Sequence, residues 1–169
     1  MAMSVGQERL TSGQRERLLR DIWILHDGRW FIKSAEALGF EAATELNQVV
    51  TRSMGRTEIK RLLDALGRTE IENIRDFEAI MDIATDIYCP AEHKYELEII
   101  DDRTLLARII ECYVYKNVSK AGTRDIHQCA GRQRFESWLE SFSLSGEIIS
   151  TGTTRDCGGS CDFYFKINW

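Results

Sequence analysis

Proline is nearly absent: Pro90 is the only one in 169 residues, and no Pro- or Ser-rich stretch marks a linker, so one domain is expected rather than two. No apolar run approaches the ~20 residues of a membrane-spanning helix. The opening Met-Ala-Met-Ser-Val-Gly-Gln-Glu carries no apolar core of signal-peptide length. These absences point to a cytoplasmic protein without a membrane partner. An excess of positive charge is missing as well. With 22 Lys and Arg against 27 Asp and Glu, a net charge of −5 leaves little to neutralise phosphates, so no nucleic-acid partner is expected. The sequence also lacks a phosphate-binding Gly-rich loop, a Gly-x-Ser-x-Gly elbow, a His-Glu-x-x-His pair and a Cys-x-x-Cys pair.

What remains is an ordinary globular composition, 43% hydrophobic and 29% charged, enough for one well-cored domain over residues 1–169. From Ser12, the residues Leu18, Leu19, Ile22, Trp23, His26 and Trp30 recur at three- and four-residue steps and predict a helix. The phase of this stripe survives Gly28, so the helix is expected to continue to Leu38 and to stop at Gly39. A second helix is expected from about Glu41 to Met54, with Ala42, Leu46, Val49 and Val50 inward. The echo Gly55-Arg-Thr-Glu-Ile59 and Gly67-Arg-Thr-Glu-Ile71 suggests that each glycine ends a helix and each Thr-Glu starts one. Thr69 and Glu72 have capping-box spacing. The echo does not make a DNA-reading helix-turn-helix, because its second helix opens with Glu70, Glu72, Asp76 and Glu78 against a single Arg75.

After Cys89-Pro90 the pattern becomes that of strands. Lys94–Ile100 and Thr104–Tyr115 predict one hairpin, a helix resumes near His127, and residues 148–154 and 161–168 predict a second hairpin. The expected fold class is α+β: an N-terminal four-helix segment (helical half about 12–89) followed by a ββαββ antiparallel sheet unit (about 93–169).

Chemistry is expected where the thiols gather. Five cysteines in a reducing compartment are ligands, reactive thiols or core residues rather than disulfides. Cys157 and Cys161 bracket a Gly-Gly turn at zinc-compatible spacing. A tetrahedral site from Cys112, Cys129, Cys157 and Cys161, with His127 able to replace one thiol, would hold zinc or iron. The competing reading is that Cys112 and Cys161 are small core residues. Cys129, expected in the first turn of the last helix, is the candidate for a thiolate stabilised by that helix N-terminus. His26, on the apolar stripe of the first helix, and Glu45, beside the apolar side of the second, are the candidate bases, each weighed against a purely structural role.

The order strand, cysteine, helix, strand, Cys-x3-Cys161-Asp-Phe-x-Phe165 resembles the end of the L-2-amino-thiazoline-4-carboxylic acid hydrolase-like proteins and, more distantly, the 4-vinyl reductase type of small-molecule-binding domain. His26-Asp-Gly-Arg-Trp-Phe31 and Phe40-Glu-Ala-Ala-Thr-Glu45-Leu are similar to uncharacterised bacterial and archaeal relatives with this tail. The hydrolase resemblance implies opening of a thiazoline ring in a thiol-rich polar pocket. The reductase resemblance implies a hydrophobic or tetrapyrrole-like ligand, sometimes with a metal. Cys112, Cys129, Cys157 and Cys161 are the positions that would carry over. Three functions follow as expectations. The first is a small-molecule- or metal-binding protein with a cysteine-rich pocket. The second is a hydrolase of a small cyclic amide or thiazoline, using Cys129 or a metal-bound water with Glu45 or His26. The third is an interaction module that forms a homodimer through its long helices.

Overall fold

A computed structural model describes residues 10–124, 126–151 and 158–169. The chain forms, in order, α1 (Ser12–Leu38), α2 (Phe40–Leu66), α3 (Ile74–Tyr88), β1 (Lys94–Ile99), β2 (Thr104–Glu111), α4 (Tyr113–Lys120), α5 (Gly131–Ser141), β3 (Ser145–Thr151) and β4 (Cys161–Asn168). The α+β class is as expected, with helices first and a four-stranded antiparallel sheet after them, in the order β1-β2-β4-β3. Two details differ. Among the described residues, three helices precede the sheet rather than four, and two helices rather than one separate its hairpins.

The missing helix boundary is at Gly55. A Cβ there would come within 2.0 Å of Ser137 Oγ and 3.1 Å of Trp138 Cδ1. Gly55 is therefore an interior contact glycine that lets α2 and α5 approach, and α2 runs through it to Leu66. Gly67 does end α2. Its φ of 63° is left-handed, and Arg68 N–H donates back to the Leu63 carbonyl at 3.0 Å. The expected Thr69–Glu72 box does not form. Asn73 caps α3 instead, its side-chain oxygen accepting from Arg75 N and Asp76 N at 3.0 and 3.1 Å. At the start of the chain, Thr11 and Gln14 form a reciprocal capping box that opens α1.

The core lies between one face of the sheet and the inner sides of α2, α3 and α5. Leu105, Ala107 and Ile109 of β2 alternate inward beside Phe163, Phe165 and Ile167 of β4. Phe135 of α5 meets Phe163 and Phe165 edge-on at 4.9 and 5.4 Å, and Phe77 of α3 meets Phe165 at 5.7 Å and Phe142 at 5.6 Å. Each such ring stabilises the fold by about 1.5–3 kcal/mol through burial. The outer side of the sheet is tied by the Arg108–Asp162 ion pair across β2 and β4.

The helical half divides. The second half of α2 belongs to the core through Glu58, Ile59 and Leu62, and Arg52 and Arg56 both pair with Glu140 of α5. By contrast, among the described helices and strands, α1 packs against α2 alone. The apolar stripe expected inside α1 faces solvent, and so do Leu46, Val49 and Val50 of α2. Periodicity correctly grouped these residues on common faces but did not identify which face meets the core. Among the described residues, no helix is long and apolar enough to cross a membrane.

Candidate functional site

The close α2–α5 contact at Gly55 sets the next turn of α2, and Glu58 with it, against α5. Glu58 is 5% exposed and accepts from Arg134 Nη2 and from Trp138 Nε1, each at 2.7 Å. A buried carboxylate is tolerable only when paired and hydrogen-bonded, and here both oxygens are engaged. The Arg134 guanidinium also lies over the Trp138 ring, 6.0 Å from its centroid. From α3, the Tyr88 hydroxyl donates to the Glu58 carbonyl at 2.9 Å, and burial followed by the Glu58 charge raises its pKa.

Cys89 and His93 lie close enough to this pair for the Arg134 charge to act on both. Cys89, the residue that closes α3, is a free thiol whose pKa is pushed up to about 11. Burial is the main cause; Glu58 and Cys112 add to it, and Arg134 and Arg20 oppose it. His93 is held below the usual imidazole range by burial and then by the Arg134 charge. His127, just ahead of α5, is lowered by burial alone. Cys89 is therefore a neutral thiol, and both histidines favour neutral imidazole.

Three buried side-chain atoms have no hydrogen-bond partner among the described residues: His127 Nδ1, Gln133 Oε1 and Arg134 Nε. All three fall in the eight residues from His127 to Arg134, the approach and first turn of α5. Buried polar atoms in folded proteins are nearly always satisfied, by protein groups or by ordered water.

The expected site residues separate into two groups. Cys112 is not in a strand but is the N-cap of α4, where its sulfur accepts from Tyr115 N at 3.5 Å. Its backbone N–H donates to the Gly159 carbonyl at 3.0 Å, tying the Gly158–Gly159 turn to this corner. Cys161 sits opposite Ile109 at the start of β4 and packs at the core edge, on the face expected for it. Cys129 is not within the last helix but precedes its first residue by two, its sulfur accepting from Gly131 N at 3.3 Å. Cys157 lies outside the described residues. Among those described, no group of three or more His, Cys, Asp and Glu is placed to hold a metal ion.

The second group is remote. His26 is exposed on α1, stacked on Trp23 with ring centroids 6.0 Å apart, rather than on a buried face. Glu45 is exposed on α2. Among the described helices and strands, α1 packs against α2, and no hydrogen bond or ring contact joins His26 to a described thiol.

Sequence reasoning missed Glu58, Arg134, Cys89 and His93. The usable signal was Glu58 itself, a charged residue that falls at the edge of the Ile59–Leu62 face once Gly55 is read as interior. Arg134 and Trp138 are then four residues apart on one face of α5.

No family model matches the chain, and no curated protein matches it. Among solved structures the chain is similar to the crystal structure of an Fe(II) unliganded H-NOX protein mutant from K. algicida, at 12% identity and a TM-score of 0.42, over 80% of this chain and 74% of that one.

Proposed function

We propose that the protein binds a small organic molecule at the end of α3, the β2–α4 corner and the approach to α5. The observation that supports this reading is the run of three unpartnered buried polar atoms from His127 to Arg134. Their chemistry restricts the ligand. Arg134 Nε offers a donor and Gln133 Oε1 an acceptor. Glu58 offsets the Arg134 charge, while Cys89, His93 and His127 favour their neutral forms. The fitting partner is an uncharged molecule carrying both an acceptor and an N–H or O–H donor, such as a cyclic amide or a nitrogen heterocycle. The protein works in the cytoplasm, where Cys89 stays reduced.

The test is native mass spectrometry of the untagged protein after equilibration with a polar small-molecule extract of cells. Wild type is expected to retain a non-covalent adduct, and Gln133→Met and His127→Phe to lose it. An adduct carried equally by wild type and both variants would refute the assignment.

A second reading, the zinc or iron site expected of Cys112, Cys129, Cys157 and Cys161 with His127 able to replace one thiol, draws support from the Cys112 N–Gly159 O bond, which draws the Gly-Gly turn against Cys112. Such a metal would bind the thiols as thiolates and link the turn to the α4 corner. Elemental analysis decides this reading: near-stoichiometric metal lost in Cys112→Ser and Cys161→Ser favours it, and a metal-free protein from supplemented medium rejects it.

A further inference from the structure

α1 carries three apolar faces and buries one. Ile24, Phe31 and Ala35 turn toward α2, yet Ala35 is the only fully buried residue of this 27-residue helix. Leu18, Ile22, Leu25 and Ile32 recur at steps of four, three and seven, the 3.5-residue spacing of a helix-packing seam. Leu19, Trp23 and Trp30 form a second seam beside it, with Trp23 58% and Trp30 69% exposed. On α2, Leu46, Val49 and Val50 lie one turn apart on the solvent side. These exposed apolar side chains leave α1 with more apolar surface than α2 covers.

Summed over both α1 seams and α2, the exposed apolar side chains offer on the order of 1,000 Å², spread over more than one side of the hairpin. A stable interface takes about 800 Å² from each partner, so a single partner of this size is enough. Charge narrows its identity. α1 holds five basic and four acidic side chains, interspersed along its length. An anionic lipid surface would select a basic helix, whereas a near-neutral one with parallel seams suits another helix of the same kind.

We propose that the α1–α2 hairpin is a self-association surface, on which a second copy of this chain packs its own hairpin to complete a four-helix bundle. The interface is isologous, so each seam is used twice and the assembly closes at two copies. The seam residues Leu18, Trp23, Leu25 and Trp30 are exposed and stand apart from the ligand site, which α1 reaches through the charge of Arg20 on Cys89.

Sedimentation equilibrium of the full chain at micromolar concentration tests this. The expected mass is twice the 19.5 kDa of one chain. Leu18→Glu with Leu25→Glu, and separately Trp23→Glu with Trp30→Glu, are expected to halve it. Their far-UV circular dichroism should stay unchanged, because these side chains contact little within one chain. Should a double variant fail to fold, dilution of wild type supplies the readout: the Trp emission shifts to the red as the mass falls. A wild-type monomer overturns the proposal, whether or not it floats with phosphatidylserine vesicles or meets another protein. A dimer untouched by both folded double variants overturns it too.

Discussion

Cys89 illustrates how burial turns a reactive residue type into an inert one. With its pKa raised to about 11 from 9.0, the folded thiol keeps its proton at pH values where the unfolded chain has lost it. Above pH 9 the unfolded state therefore binds fewer protons, and stability falls as pH rises toward 11. A shift of that size corresponds to about 2–3 kcal/mol. Urea unfolding at pH 7, 9 and 11 is expected to show this loss in wild type and to lack it in Cys89→Ala. The same neutrality predicts slow alkylation of Cys89 at pH 7, so it is not the nucleophile that a thiol hydrolase requires. His93 and His127 shift in the opposite sense. Their depressed pKa values mean that the unfolded chain takes up protons first, adding to instability as pH falls below about 6.5.

At the scale of elements, the α2–α5 contact decides where the polar pair goes. Helix propensity alone would make Gly55→Ala stabilising by up to about 1 kcal/mol. The added Cβ would instead meet Ser137 Oγ at 2.0 Å, and that hydroxyl is held at 2.7 Å by the Arg134 carbonyl. Gly55→Ala is accordingly expected to destabilise by about 1–3 kcal/mol, as overpacked cores do. Ser137→Gly in the same chain should recover much of this loss, and denaturant midpoints of the two variants measure the coupling. A single variant as stable as wild type would show that the contact is not tight. Gly55 also marks the limit of what the sequence conveys. A glycine that ends a helix and one that admits a neighbouring helix look alike until that neighbour is known, so the Gly55 and Gly67 echoes were read alike. The α1 span, the end of α3 before Pro90 and the two hairpins were legible because periodicity and stop signals are local, whereas the start of α3 was not, because Asn73 rather than Thr69 caps it. The Glu58–Arg134–Trp138 constellation was not, because its members are 76 and 80 residues apart. The Sγ hydrogen bonds of Cys112 and Cys129 at the α4 and α5 starts depend on turns that local pattern does not specify.

For the whole molecule, the sheet with α2, α3 and α5 forms a body with its own core, while α1 and the first half of α2 leave a large apolar surface open. The proposed ligand site lies in the body and the proposed contact between copies on the hairpin, so the two properties are expected to vary independently. The central claim is that the polar atoms from His127 to Arg134 serve a ligand rather than the fold. Thermal unfolding of ligand-free protein tests it most directly. An unsatisfied buried polar atom costs about 1–3 kcal/mol, and in a domain of this size each kcal/mol moves the midpoint by about 2–4 °C. Gln133→Met and His127→Phe are each expected to melt several degrees above wild type. Midpoints below wild type in both variants would show that these atoms hold the fold together, and would contradict the claim.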